Sequence, residues 1–477
     1  MNINPNSWNA YQLMHEGILA LAHAEQSGMR VDMEYVERKK VFLTKKIQYL
    51  EDKFRDSTLY KHWEHSSKSK VNIHSNAQLA HFLYKVKKIE QANTTASGQG
   101  STDEESLKAL NIPELNILIQ ARKLKKNRDV YLDAFAREQV NGILHPFFNL
   151  HLVRTFRSSS DSPNFQNIPK RDEESMQLCR RALFPRPGHQ FLEIDYSGLE
   201  VKIAACYHKD PTMLKYITDP KSDMHRDIAM QVFMLDKYDK NNPGHYILRQ
   251  AAKNGFVFPE FYGDYYKNCA ISMACNWGKL PQGKWSRGQG IPIDSEAYTL
   301  GDHFISKGIN TLGESKKIGD KWKLTGFMKH VRKIEEDFWQ NRFSRYASWK
   351  EHHWDEYVKN GYIDLLTGFR CRGVMGKNDV SNYPVQGAAF HCLLWSFIQI
   401  DKTLISQNLR TKLVGQIHDA ILLDVHPAEL EHVAKLVKRI TCQDLPNAWD
   451  WIIVPLDIEM ELCDVDSSWA DKKKYVK

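Results

Sequence analysis

Two aspartates stand out by where the chain puts them. Asp195 closes the run Phe191-Leu-Glu-Ile-Asp195, apolar at its start, which reads as a buried strand ending on a carboxylate. Asp419 lies more than two hundred residues later in Gly415-Gln-Ile-His418-Asp419, between Leu413-Val414 and Ile421-Leu422-Leu423, where a hairpin turn is expected. Magnesium is typically held by one or two carboxylates together with phosphate oxygens. Two aspartates on rigid strand ends therefore suit a pair of magnesium ions at a reacting phosphate. One aspartate after an apolar run is usually just a strand end. The pair gains meaning from the residues around it.

A chain of 477 residues can bury a large core and divide into two or three substructures. Its net charge of +8 permits nucleic-acid binding without requiring it. The eight cysteines are scattered with no Cys-x-x-Cys pair, which argues against zinc and a disulfide framework and fits a reducing compartment. No apolar run approaches the ~20 residues that span a bilayer, so no membrane association and a cytoplasmic location are expected. A helix is predicted from Asp32, as N-cap, to about Phe54, with Leu43, Ile47, Leu50 and Phe54 at helical spacing. Its lysines Lys39, Lys40, Lys45 and Lys46 fall largely on the other faces. A polar loop from Ala92 to Gly100 precedes a helix start at Ser101-Thr-Asp-Glu-Glu105, and a second basic run spans Arg122 to Arg128. The stretch from about Asn268 to Gly361 carries no readable motif, and its helical pieces look like scaffold.

Further motifs lie between and around the aspartates. Arg154-Thr155-Phe156-Arg157-Ser-Ser-Ser is followed by Pro163-Asn-Phe-Gln-Asn-Ile-Pro169, and Asp195 by Tyr-Ser-Gly-Leu-Glu200. Then come Asp223-Met-His225-Arg226, Arg249-x-x-x-Lys253 with Tyr262-Gly263, Thr367-Gly-Phe-Arg370-Cys-Arg372, and Asn382-Tyr-Pro-Val-Gln386-Gly. Together these resemble family A DNA polymerases, the polymerase domain of DNA polymerase I and its phage relatives. The resemblance runs from about Tyr11 to near the C-terminus.

By that resemblance Asp195 and Asp419 are the metal-binding aspartates, and the main-chain carbonyl of Tyr196 is a further ligand. Glu193, on the same strand face as Asp195, is a weaker candidate for a third ligand, with a structural contact favoured. Glu200 is the steric gate that leaves no room for a 2′-hydroxyl. Arg157 would face the minor groove near the primer end, where a donor fork meets acceptors that every correct pair presents. Gln166, Asn167, Asn382, Gln386 and His418 are DNA-side contacts. His225, Arg249 and Lys253 would hold the incoming triphosphate, Arg249 and Lys253 lying four apart on one helical face. Lys253 would also protonate or stabilise the leaving pyrophosphate.

Three departures from the family pattern matter. Lys253 to Tyr262 spans nine positions, one more than usual, with Pro259 inside. An extra residue and a mid-helix proline both favour a bulge between Lys253 and Phe258, at which closure of the fingers is expected to pivot. Phe258 keeps a four-residue spacing to Tyr262 and takes the aromatic role against the sugar, with Phe256 as competitor. Ala420 stands where many bacterial members have Glu. The longer arginine-containing linker before Asn382 is absent.

The resemblance implies an α+β right-hand polymerase fold with an antiparallel-sheet palm, helical fingers and a helical thumb. The expected segments are 1–140 (N-terminal segment and thumb), 141–208 (first part of the palm), 209–360 (fingers) and 361–477 (second part of the palm). It further implies template-directed addition of deoxynucleotides to a primer 3′ end, with two Mg²⁺ ions or Mn²⁺ in their place. Partners would be primer–template DNA and dNTPs, with a separate exonuclease or processivity and replisome proteins as further ones, and the chain is expected to be a monomer. The pattern starts too early to leave room for a 3′–5′ exonuclease, so no proofreading is expected here. The wording Phe-Pro-x-Phe-Tyr-Gly is phage-like, placing the protein in a bacterial cell or a phage-infected host. A single-subunit RNA polymerase and an inactive DNA-binding derivative are the alternatives, the first opposed by Glu200 and the Asn164–Pro169 signature.

Overall fold

Asp195 and Asp419 issue from neighbouring strands of one antiparallel sheet. The computed structural model describes residues 5–89, 98–170, 172–277, 284–295, 297–313, 315–318, 321–417 and 419–475. Along the chain run helices α1 (Pro5–Ser27), α2 (Met33–Arg55), α3 (Leu199–His208), α4 (Met224–Val232), α5 (Pro243–Ala252), α6 (Tyr266–Asn276), α7 (Gly326–Asp337) and α8 (Lys377–Ser406), among others. The chain forms two compact units, residues 1–47, 123–218 and 348–477 in the first and 48–122 with 219–347 in the second. These units do not coincide with the four segments read from the sequence. The N-terminal helix α1 belongs with the first unit because Ala10, Leu13, Ala20 and Leu21 share a buried core with Leu393, Phe397 and Leu404 of α8.

The first unit is built on strands β1 (Gln190–Tyr196), β2 (Lys412–Ile417), β3 (Ala420–Val425), β4 (Ile458–Leu462) and β5 (Lys473–Lys474), in the spatial order β2-β3-β1-β4-β5. Side chains alternate across a strand, so register decides which residues share a face. Ile194 pairs with Ile421 and Leu192 with Leu423, and these four join the core beneath the sheet. Asp195 pairs with Ala420 on one side and with Glu459 on the other, and Glu193 pairs with Leu422 and Glu461. The opposite face of β1 is therefore the carboxylate face.

Helix α8 is buried along much of its length, with small residues where other backbone comes close. A Cβ on Gly387 would lie 2.5 Å from the Thr155 carbonyl oxygen. Only glycine lets the segment bearing Arg157 rest on the helix there.

In the second unit, residues 48–122 bury Phe54, Trp63, Phe82, Leu83, Leu115 and Leu118 together, with the Trp63 and Phe82 rings stacked at 5.4 Å. Residues 219–347 set α4, α5, α6 and α7 around an aromatic cluster of Phe233, Trp277, Phe304 and Phe327. Among the described residues, the region without motifs packs helices and short hairpins, such as Pro292–Ser295 with Tyr298–Thr299, on these rings. No helix among the described residues is long and apolar enough to cross a membrane.

The predicted helix starts hold at atomic level. Asp32 caps α2 by accepting from the Tyr35 amide (2.8 Å), and Asp103 accepts from the Ser106 amide (2.7 Å) ahead of a helix at Glu104–Ala109. The basic run behaves differently from a free cationic stripe. Arg122 is turned inward onto the carbonyls of Ile73 (3.1 Å) and Thr102 (3.4 Å). Lys123 pairs with Asp172 (2.7 Å) and Glu174 (3.0 Å), and Lys125 and Arg128 both pair with Asp129 at 2.6 Å.

Candidate active site

Sheet pairing fixes the two aspartates together. The Tyr196 amide donates to the main-chain oxygen of Asp419 (3.2 Å), so the end of β1 is bonded to the β2–β3 turn. The Tyr196 side chain points away into the core, where its hydroxyl meets Ser396 Oγ at 2.7 Å. Gly198, at φ +62°, then reverses the chain into α3 and places Glu200 in its first turn. Arg157 Nη1 donates to Glu200 Oε1 (3.1 Å), while its Nη2 lies 3.6 Å from Asp419 Oδ1. Lys170 donates to Asp195 Oδ2.

This cluster leaves one oxygen wanting. Asp419 Oδ1 is buried and has no hydrogen-bond partner. Burial pushes the Asp419 carboxyl up to about 6, the charges of Glu200 and Asp195 push the same way, and Arg157 and Lys170 pull against them. A buried, under-coordinated carboxylate oxygen beside two more carboxylates fits a divalent cation, whose charge would replace the missing donor. No group of three or more His, Cys, Asp or Glu side chains forms a metal cage among the described residues. The arrangement suits an ion that takes one or two carboxylates and completes its shell with phosphate and water.

Glu193 is not available to such an ion. It is 2 % exposed and accepts from Arg180 Nη1 (3.2 Å), Lys472 Nζ (2.9 Å) and Trp469 Nε1 (2.9 Å). Its role is structural, the reading favoured by the sequence. Ala420 faces Asp195 across the strand pair, where its methyl adds no oxygen.

The long signature is knitted into the same unit. Gln166 Nε2 donates to Ser158 Oγ (2.7 Å) and to Gln416 Oε1 (2.6 Å), tying it to the strand that leads to Asp419. Asn167 is exposed, its amide capped by Asn164 Oδ1 at 3.1 Å. Asn382 and Gln386 are half-buried near the start of α8. His418 lies outside the described residues. Lys170, directly after Pro169, had only its place at the end of the motif to announce it.

The second unit gathers the basic residues. Asp223 caps α4 through the Arg226 amide (3.0 Å) and grips Arg249 of α5 twice, at 2.9 and 3.0 Å. Lys253 Nζ stands 5.3 Å from the centre of the Phe258 ring, which also meets the His225 ring edge-on at 5.7 Å. Burial, then Lys253 and Arg249, push His225 down to about 4, so its ring is neutral near pH 7. Lys253–Val257 forms a π-helical turn in which the Phe258 amide reaches back to the Lys253 carbonyl. The bulge predicted from spacing and proline is there. Phe256 is fully buried against Phe338 at 5.4 Å, while Phe258 is half-buried and Tyr262 is 46 % exposed. Gly255 is required, since a Cβ there would lie 2.8 Å from the Met273 amide nitrogen of α6.

One buried pair escaped the sequence reading. Glu260 accepts from Trp339 Nε1 (2.8 Å) and Cys269 Sγ (3.4 Å), and Glu335 accepts from the Tyr266 amide (2.7 Å). Burial, with Glu335 adjoining, pushes Glu260 well above the usual carboxylate range, and burial raises Glu335 as well.

A sequence profile of DNA polymerase family A matches residues 35–275 and 337–471. The chain belongs to that family. It is 26 % identical over 457 residues to the thermostable DNA polymerase I of Thermus thermophilus, an alignment covering 92 % of this chain and 46 % of the relative. It is 23 % identical over 482 residues to the DNA polymerase of Bacillus phage SP01, covering 91 % and 47 %. The chain spans about half the length of the curated relatives it matches. Among solved structures, the POL domain of Pol1 from M. smegmatis, in complex with DNA primer-template and dNTP, matches with a TM-score of 0.70, at 20 % identity and covering 96 % of this chain and 70 % of that one. The fold is therefore the α+β polymerase-domain fold, with an antiparallel sheet carrying Asp195 and Asp419.

Proposed function

We propose that this chain is a template-directed DNA polymerase that adds deoxynucleoside monophosphates to a primer 3′ end. The observation that carries the reading is the pair of sheet-anchored aspartates with a buried, unbonded oxygen on Asp419. Asp195 and Asp419, with the Tyr196 carbonyl, would hold two divalent cations, magnesium or manganese. Such ions, when bound, supply Lewis-acid activation of the 3′-hydroxyl and neutralise charge on the departing pyrophosphate.

The side chains do the rest. Arg249, oriented by Asp223, and Lys253 bind the triphosphate, and Lys253 donates a proton to the leaving pyrophosphate. His225 is neutral and serves as a hydrogen-bond donor to a phosphate oxygen rather than as a third cation. Phe258 and Tyr262 pack against sugar and base, while Glu200 excludes a 2′-hydroxyl. Arg157, released from Glu200, reads the minor-groove edge of the primer terminus with Gln166, Asn167, Asn382, Gln386 and His418 on the DNA. The π-helical turn after Lys253 is the pivot on which the nucleotide-gripping helix moves. The substrates are primer–template DNA and dNTPs, and the setting is the cytoplasm of a bacterial cell or phage-infected host. No proofreading is part of this reading.

Primer extension by the pure protein tests it. Wild type is expected to extend a primed template with dNTPs and Mg²⁺, and Asp419→Ala to lose at least about 10³-fold in rate. No extension by wild type, or full activity in Asp419→Ala, overturns the reading. Equal use of ribonucleotides overturns the role of Glu200, and release of nucleotides from a single-stranded primer overturns the absence of proofreading.

A further inference from the structure

Lys170 lies exposed at the edge of the carboxylate face, held there by its partners. Its ammonium bonds Asp195 Oδ2 and stands 3.9 Å from Glu193 Oε1, two carboxylates on one face of β1. Its backbone is pinned as well. The buried guanidinium of Arg180 donates through Nε to the carbonyl of Pro169 (3.1 Å), the residue before Lys170, and through Nη1 to Glu193. Arg180 in turn lies over the Trp469 ring at 3.9 Å, and Trp469 stacks on Phe165 of the same signature at 5.5 Å. Glu193 thus anchors Arg180, Lys472 and Trp469, and keeps one oxygen toward Lys170.

We propose that Lys170 is a positioning residue for the cation site: its ammonium orients the Asp195 carboxylate and must slide toward Glu193 for a divalent cation to bind Asp195. The residue would then set how much divalent cation the enzyme needs. A lysine that stays charged opposes any second cation at the same oxygen. The ammonium stands between two carboxylates, Asp195 and Glu193, which is an environment that favours its charged form. Glu193 gives the displaced ammonium a place to go. Its other oxygen is saturated by donors, which keeps it from following Lys170 or from ligating the ion itself.

This inference rests on the polymerase reading only in taking Asp195 as a cation ligand. The test is a Mn²⁺ titration of the full chain without DNA or dNTP, followed by the paramagnetic resonance of free Mn²⁺. Wild type is compared with Lys170→Met, Lys170→Arg and Asp195→Asn, each checked for native circular dichroism. Lys170→Met is expected to tighten the Asp195-dependent site roughly tenfold, because a unit charge a few ångströms away is removed. Lys170→Arg, which keeps the charge, is expected to stay within about twofold of wild type. If Asp195→Asn weakens Mn²⁺ binding while Lys170→Met leaves it unchanged or weaker, the inference falls and the polymerase reading stands. If Lys170→Arg tightens as much as Lys170→Met, charge is not the cause and the inference falls. If Asp195→Asn binds Mn²⁺ like wild type, Asp195 is no ligand of the free protein's cation and the inference falls, while primer extension still decides the polymerase reading.

Discussion

The carboxylate face of the first unit and the basic helix of the second solve opposite problems. On β1 and β3, side chains are fixed by strand register, and the acids are met by Lys170, Arg157, Arg180 and Lys472. On α5 and the turn after it, the charges are positive, Asp223 holds Arg249 while capping α4, and the helix is interrupted just where Lys253 sits. A sheet holds two points at constant separation, which the proposed shared ions would need. An interrupted helix has a locally altered backbone, which the proposed phosphate grip would use. The difference teaches that rigidity and mobility are assigned by element type before any side chain is chosen.

The largest test of this contrast sets the two regions against each other. Asp195→Asn is expected to slow single-turnover extension at least about 10³-fold while dNTP affinity holds, and Lys253→Ala to cost about 10²-fold in kcat/KM with weaker dNTP binding. Nucleotide-induced fluorescence quenching separates the two. Loss of dNTP affinity in Asp195→Asn alone would erase the division of labour.

Backbone contacts come next. Gly387→Ala and Gly255→Ala each drive a methyl into fixed backbone, of Thr155 and Met273 respectively, and are expected to destabilise by about 1–3 kcal/mol in urea unfolding. An equal loss of activity in both variants would blur the contrast. A larger loss for Gly387→Ala would sharpen it, since that contact carries the Arg157 segment.

The raised acids of the second unit give a pH signature of their own. Glu260 and Glu335 have folded pKa values above their unfolded ones, so the stability they lend is complete below the unfolded value and is lost as pH rises through the folded value. Melting temperatures from about pH 5 to pH 9 are expected to fall more steeply for wild type than for Glu260→Gln. Parallel curves would show that the pair ionises freely.

The smallest effect belongs to the exposed lysine Lys45 on α2. Lys45→Ala is expected to reduce the slope of log binding against log salt for duplex DNA by about 1 if it meets a phosphate. An unchanged slope removes α2 from the DNA path.

Much of this was legible in the sequence. The strand ending on Asp195, the hairpin at Asp419, the caps at Asp32 and Asp103, and the interruption after Lys253 all follow from local pattern, where period, turn residues and spacing act within a few positions. The rest depends on distant partners. Nothing near Glu193 announces Trp469, 276 residues away, and nothing near Lys123 announces Asp172. Within the basic run, the acids that pair with Lys123 lie in another segment, at Asp172 and Glu174. No local pattern in α1 announces that its buried face meets α8, more than three hundred residues away. The motif-free region was silent because ring packing has no spacing rule.

The π-helical turn at Lys253–Val257 has one more consequence. Adding a residue to a regular helix rotates everything beyond it by about 100°, which would swing Tyr262 to another side. A wider loop of backbone takes up the surplus within one turn, so the two ends keep their angular phase. Length variation at this point is therefore neutral to the aim of the residues beyond it, and lineages can gain or shed a residue there without re-inventing the surface that follows.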